Sequence, residues 1–437
     1  MAAVVVGLVV LGGCVEERSS SRLSYRGVPV KPASAGSAAG ANRTPQAPTS
    51  PGKTAAAKPV ELPEGPITEA PDSAETSNAH VRVAVVPLGT VPFDGTTLPV
   101  VSPDGRFVAV QMGEPPAWEQ VLASPSATGM CRTTVEIYEL GSKGPAKVEP
   151  VETLPTGLLL GRSADSEGVL VEYPRADGSR WIGRIEWAGA RLAWIARGNE
   201  CAAHAVSLRG GVIAYARRGI SEDHWSVHIG GRDETVALPD GCTAAFPMPS
   251  DRPDLVHVIC TSNRGIELLA FRIPGRDQPS QRPFMLNSAV LSASPDPLSA
   301  HLAASVVQPL VRERHGDVTG ESTLDPLLFF HPGSKRMAAF SPTSGRVTLL
   351  APGSISASEL MDPVSGEGVL LTVEKSLVHQ RLSMGPDGVL KASQPATVLG
   401  EPYVPRETMN PERPYVLIGP VRTDPTRLQL LAMRLAE

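Results

Sequence analysis

An all-β fold is what this sequence predicts, and three observations carry the prediction. Gly (41) and Pro (43) together supply close to a fifth of the 437 residues, well above the ordinary share of about 12%. Both disfavour helix interiors. From about His80 onward, short apolar and β-branched runs alternate with turn signals, the pattern of strands rather than helices. Those turn-plus-run units also recur along the chain, which points to a repeat architecture.

The clearest unit is Ser102-Pro103-Asp104-Gly105 followed by Arg106-Phe107-Val108-Ala109-Val110. Ser first, Pro second and Gly fourth suit a type I turn, and the run after it is a strand. Six further units follow: SEGVLVEY (166–173), RGGVIAYA (209–216), PDLVHVIC (253–260), PLSAHLAASVV (297–307), GEGVLLTV (366–373) and ERPYVLIG (412–419). Their starts are separated by 64, 43, 44, 44, 69 and 46 residues. Four of these intervals lie near the roughly 40–45-residue period of a four-stranded propeller blade. The two long intervals contain Pro-, Gly- and charge-rich pieces at 113–133 and 312–326, expected as insertions. The hairpin VLVEY-PRADGS-RWIGRIEW adds two strands around a Gly-containing loop.

At Ser102 to Val110 the sequence resembles the PD40 or TolB-type repeat, SPDGxxhAh, of periplasmic and secreted β-propellers. The resemblance covers nine residues and is degenerate in the other units. It implies a single β-propeller of four-stranded blades over residues 80–437, closed by pairing the N-terminal strand with the last blade. HVRVAVVPL (80–88) and RLQLLAMRL (427–435) are the expected partners. Seven blades are expected, with six or eight open. A pair of two-sheet β-sandwiches is the alternative.

The chain before this domain reads as an address and a tether. Residues 2–13, AAVVVGLVVLGG, are unbroken apolar and small residues. As a helix they would rise about 18 Å, short of a bilayer core of about 30 Å. They fit the apolar region of a signal peptide (1–13). Leu11-Gly12-Gly13-Cys14 resembles the bacterial lipobox, which implies cleavage before Cys14 and a lipid on its thiol. No Lys or Arg precedes the run, a departure expected if the natural start lies upstream. Val15 after the Cys resembles outer-membrane rather than inner-membrane sorting. Residues 14–79 are mostly Pro, Ala, Ser, Thr, Gly and Glu, with no aromatic between Tyr25 and Phe93. Such a stretch buries too little apolar surface to order itself and would span roughly 40 Å as a flexible chain.

Chemistry is sparse. No phosphate-cradling G-x-x-x-x-G-K-[ST] loop, G-x-S-x-G elbow or H-E-x-x-H pair occurs, and the sialidase S-x-D-x-G box fails because Gly105 directly follows Asp104. His224 and His228 share one strand face, about 13 Å apart and too far for one metal ion. His204 and His257 have no ligand-spaced partner. No catalytic, cofactor or metal residue is therefore assigned. Trp181, Trp187 and Trp194 are expected as packing residues. Net charge is −5, which gives no basic field for nucleic acid.

Four cysteines remain after Cys14: Cys131, Cys201, Cys242 and Cys260. An exported chain meets an oxidising compartment, where an even number suits two disulfides. Cys242 with Cys260 is favoured, across a turn at Pro249-Ser250-Asp251, which leaves Cys131 with Cys201. Each would add roughly 3–4 kcal/mol. Four buried, reduced thiols are the alternative.

The expected function is a non-catalytic lipoprotein of the cell envelope, facing periplasm or exterior, whose propeller binds or scaffolds a protein or glycan partner. The alternative is a propeller enzyme, lactonase- or glycan-lyase-like, with a site at the central channel. A channel cluster of three or more His, Asp, Glu or Arg side chains would favour the enzyme. An exposed apolar patch would favour the binder.

Overall fold

The computed structural model describes residues 83–435 apart from 95–96, 115–131, 176, 178, 199, 209–210, 220–223, 231–233, 249, 251–253, 274–281, 306–326, 342–343, 363–365 and 386–388. The signal peptide, Cys14, the tether and both expected insertions lie outside the described residues or largely so, as does Cys131.

The described residues form seven successive antiparallel units. Strand β1 (Val83–Pro92) comes first in the chain but belongs to the last unit. Blade I holds β2 (Val100–Val101), β3 (Phe107–Glu114), β4 (Arg132–Gly141) and β5 (Gly144–Lys147). Blade II holds β6 (Leu158–Ala164), β7 (Gly168–Pro174), β8 (Arg180–Glu186) and β9 (Leu192–Ala196). Blade III holds β10 (Glu200–Leu208), β11 (Val212–Gly219), β12 (Ser226–Ile229) and β13 (Glu234–Ala237), and joins blade II through one parallel pair, Cys201 opposite Arg180. Blade IV holds β14 (Ala244–Met248), β15 (Leu255–Ser262), β16 (Gly265–Arg272) and β17 (Phe284–Ser292). A helix, α1 (Pro297–Ser305), precedes blade V, which shows three strands, β18 (Leu327–His331), β19 (Arg336–Ser341) and β20 (Arg346–Leu349). Blade VI holds β21 (Ser356–Asp362), β22 (Gly366–Val373) and β23 (Ser376–Met384), with β24 (Leu390–Ala392) and β25 (Ala396–Leu399) both paired to β23. Blade VII holds β26 (Val404–Glu407), β27 (Tyr415–Val421) and β28 (Asp424–Leu435), completed by β1.

The fold is the expected single β-propeller. Every consecutive pair of blades shares an apolar core, and the circuit returns from blade VII to blade I. Val91, Val404, Val416, Ile418, Leu428 and Leu430 pack there on Val101, Val108 and Val110. The closing strands pair as expected: β1 runs antiparallel to β28 from Val83 opposite Leu435 to Pro92 opposite Arg427, with one bulge at Pro87/Gly89.

The turn at Ser102 forms as read. Gly105 N–H donates to the Ser102 carbonyl at 2.9 Å, and Phe107 N–H donates to Ser102 Oγ at 2.9 Å. Gly105 sits at φ +67, where a Cβ would be strained and would meet Thr408 at 3.2 Å. In six of the seven units the apolar run is the second strand of its blade. The exception is 297–307, expected as a strand and found as α1. Asp296 caps it: its carboxylate accepts from Leu298 N–H at 3.2 Å and Ser299 N–H at 3.0 Å. Pro297 fills the first helical position. Ala300, Ala303 and Ala304 bury the helix in the core shared by blades IV, V and VI. Among the described residues no helix is long and apolar enough to cross a membrane.

Closure predicts unequal costs along one strand pair. Leu430→Ala removes a fully buried side chain from the blade VII–blade I core and should cost about 2–5 kcal/mol in denaturant unfolding. Val86→Ala, on the exposed side of β1, should cost less than about 0.5 kcal/mol.

Candidate functional site

Four polar side chains are buried together where blades II, III and IV meet. Glu172 on β7, Arg180 on β8, His204 on β10 and His301 on α1 are each no more than 9% exposed. Glu172 Oε1 accepts a hydrogen bond from His204 N–H and lies 3.5 Å from His204 Nδ1. Glu172 Oε2 lies 3.7 Å from Arg180 Nη1. The His204 ring stacks at a tilt on Phe246 of β14, centroids 4.5 Å apart, and stands 6.0 Å from the His301 ring.

The local sequence explains why His204 can make these contacts. β10 bulges against β11 between Ala203 and Val206, and His204 adopts φ +57. A left-handed conformation costs a non-glycine residue roughly 1–3 kcal/mol. It turns the His204 N–H out of the ladder and onto the buried Glu172 carboxylate. The strained backbone and the buried carboxylate therefore stabilise each other and stitch blade II to blade III.

Chemically, a carboxylate beside an imidazole and a guanidinium is a set of acid–base groups. All four side chains are buried. Sequence reasoning left His204 as an ordinary residue and did not single out Glu172, Arg180 or His301. His257 is buried on β15. His224 is exposed, and His228 is partly buried on β12, stacked at a tilt on Tyr215. Among the described residues no group of three or more His, Cys, Asp or Glu could hold a metal ion.

Of the three tryptophans expected in packing, Trp187 is core and donates to the Asp165 carbonyl at 2.9 Å. Trp181 is half-buried and packs against the core shared by blades I and II, and only Trp194 is exposed, edge-to-face on Trp181 with centroids 5.3 Å apart. Arg175 and Arg197 both lie over the Trp181 ring, at 4.4 and 4.6 Å.

Cys201, Cys242 and Cys260 are buried and reduced in one core between blades III and IV. The Cys242 thiol is hydrogen-bonded to Cys260, and that contact together with burial pushes its pKa up. Burial raises Cys201 as well. The favoured pair is thus in side-chain contact, while the Cys131–Cys201 pairing involves a residue outside the described ones.

A second feature is on the outside. β17 is the outermost strand of blade IV, and no further strand pairs with it among the described residues. Phe284, Met285, Leu286 and Val290 are 40–49% exposed. The strand reads FMLNSAVLS, without a charged residue or a proline, so it lacks the chemical guards that keep edge strands solitary. Register shifts against β16 next to Phe271 and Ile266 present apolar side chains on both faces.

No protein-family model matches the sequence, and no curated protein matches it. Solved structures similar to it include the periplasmic gluconolactonase PpgL of Pseudomonas aeruginosa, at 13% identity over 69% of this chain and 85% of that one, TM-score 0.37. TolB from Acinetobacter baumannii is 11% identical over 68% of this chain and 65% of that one, TM-score 0.33. Prolyl oligopeptidase B from Galerina marginata is 11% identical over 76% of this chain, TM-score 0.34, and this chain spans 46% of its length. The assignment as a propeller rests on the strand pairing and inter-blade cores described above.

The buried ion pair makes a stability prediction. Glu172→Ala leaves Arg180 and the His204 N–H facing a void and should cost about 3–5 kcal/mol in urea unfolding. The double substitution Glu172→Leu, Arg180→Met should recover most of that loss, because both charges of the pair are then removed.

Proposed function

We propose that this protein is a non-catalytic binding module of the bacterial cell envelope, anchored by a lipid on Cys14, whose propeller docks a protein partner along β17. The exposed apolar edge of β17 carries the reading. It offers main-chain donors and acceptors on its outer side and exposed apolar side chains on both faces, which match an extended segment of another protein added as a further strand. A glycan partner is less well served. Sugar recognition wants open aromatic faces, and arginines lie over the Trp181 ring.

The test is site-directed photocrosslinking at Met285 in the full chain in its own membranes. An adduct mapping to one extended segment of a partner is expected, and Leu286→Glu, which puts a charge on the edge, should reduce it at least tenfold. An unchanged adduct in Leu286→Glu, or an adduct only to a second copy of this chain, overturns the docking reading.

The second reading, a propeller enzyme, is favoured by the convergence of Glu172, Arg180, His204 and His301. The exposed edge of β17 has no counterpart there, since all four side chains are buried.

The address is tested separately. Cys14→Ala should move the protein from the membrane to the soluble fraction. In the exported protein Cys242 and Cys260 give up two protons and two electrons to an external disulfide, forming a bond that closes β14 onto β15. Peptide mapping without reductant should recover Cys242 joined to Cys260, whereas alkylation of both thiols in the native exported protein would remove the bridge.

A further inference from the structure

Two arginines are buried among the described residues, Arg180 and Arg406. Arg180 faces the carboxylate of Glu172. Arg406 is the contrasting case. It lies on β26, the first strand of blade VII, opposite Val416. Its side chain falls on the same strand face as Val404, which belongs with Val416 and Ile418 to the core shared with Val101, Val108 and Val110 of blade I. The next residue, Glu407, falls on the opposite face by strand alternation and so cannot serve as its counter-charge.

Arg406 is 2% exposed. Its Nε has no hydrogen-bond partner, and no carboxylate forms an ion pair with it among the described residues. Burial pushes its pKa down to about 10, so the group stays protonated at neutral pH. A guanidinium cannot shed its charge cheaply, and removing it from water without a partner costs several kcal/mol. The fold places this cation at the inner edge of the closing blade, among valines that could be matched by any aliphatic residue.

We propose that Arg406 anchors an oxyanion site at the inner end of the blade VII–blade I interface, taking the carboxylate or phosphate group of a small ligand. The planar fork of five N–H donors fits two oxygens at once, and an anion there supplies a counter-charge and an acceptor for Nε, which has none. The site is remote in sequence and in blade number from β17, so it stands or falls independently of the docking reading.

The experiment is thermal unfolding of the full chain at constant ionic strength, with chloride replaced stepwise by inorganic phosphate in one arm and by acetate in the other. A saturable rise in Tm with either anion is expected, because a ligand bound only to the folded state stabilises it by mass action. Calorimetric titration should then find one anion per chain. Phosphate alone would assign a tetrahedral dianion, and both anions a plain carboxylate-sized site. Arg406→Met keeps the volume and should abolish the rise. Arg406→Lys keeps the charge but not the fork and should weaken binding about tenfold. A Tm that neither anion moves in the wild-type protein overturns the proposal whether or not the variants fold. An equal rise in Arg406→Met overturns it as well.

Discussion

The antiparallel pairing of β1 with β28 is the interaction on which the other six blades depend. A propeller blade buries its two faces only against neighbours, so a row of seven would leave one face of blade I and one of blade VII in water. Completing blade VII with the first strand of the domain fixes those two faces together, covering Val101, Val108 and Val110 with Val404, Val416 and Leu430. The long register from Val83 to Pro92 makes the closure a matter of main-chain hydrogen bonds as well as of apolar burial. It also pins two segments more than 330 residues apart, so closure is among the most non-local steps of folding and the slowest to be rewarded.

Inside the ring, polar groups are tolerated where a second interaction justifies them. Glu172 is fully buried, yet it draws on a guanidinium, an imidazole and a main-chain N–H from two blades. The unusual backbone of His204 is the geometric means by which that N–H reaches it. The same logic recurs beside it in blade II, where Asp165 accepts the N–H groups of Glu167 and Gly168 and pairs with Arg184 at 3.1 Å. These networks sit at turns and blade junctions, where ladder hydrogen bonding is interrupted and the backbone has donors to spare.

Much of the fold was legible because its signals are local. The Ser102 turn and the second strand of six blades follow from turn chemistry and apolar runs within about ten residues of each other, whereas the closing pair joins distant segments and is expected only from the resemblance to the TolB-type repeat. The reading failed at 297–307 because an alanine-rich apolar run is ambiguous between strand and buried helix. Asp296-Pro297, a cap followed by a first-turn proline, was the signal that decided it. The candidate sites were not legible for a different reason. Glu172, Arg180 and His204 lie on three strands, and only the lateral register of blades II and III brings them together. Arg406 is one residue of a four-residue strand, and nothing nearby in sequence marks it as buried.

The distribution of burial within blade IV explains how an unguarded edge can be retained. β14, β15 and nearly all of β16 are buried, and both faces of the blade feed large apolar cores, one toward blade III and one toward blades V and VI. The blade's stability is therefore supplied by its inner three strands. β17 adds Leu291 to the core while four of its large apolar side chains stay in water. Replacing those four by polar residues would cost the fold little and would remove an aggregation hazard. Stability alone gives no reason for them to be apolar. The partner strand proposed above would.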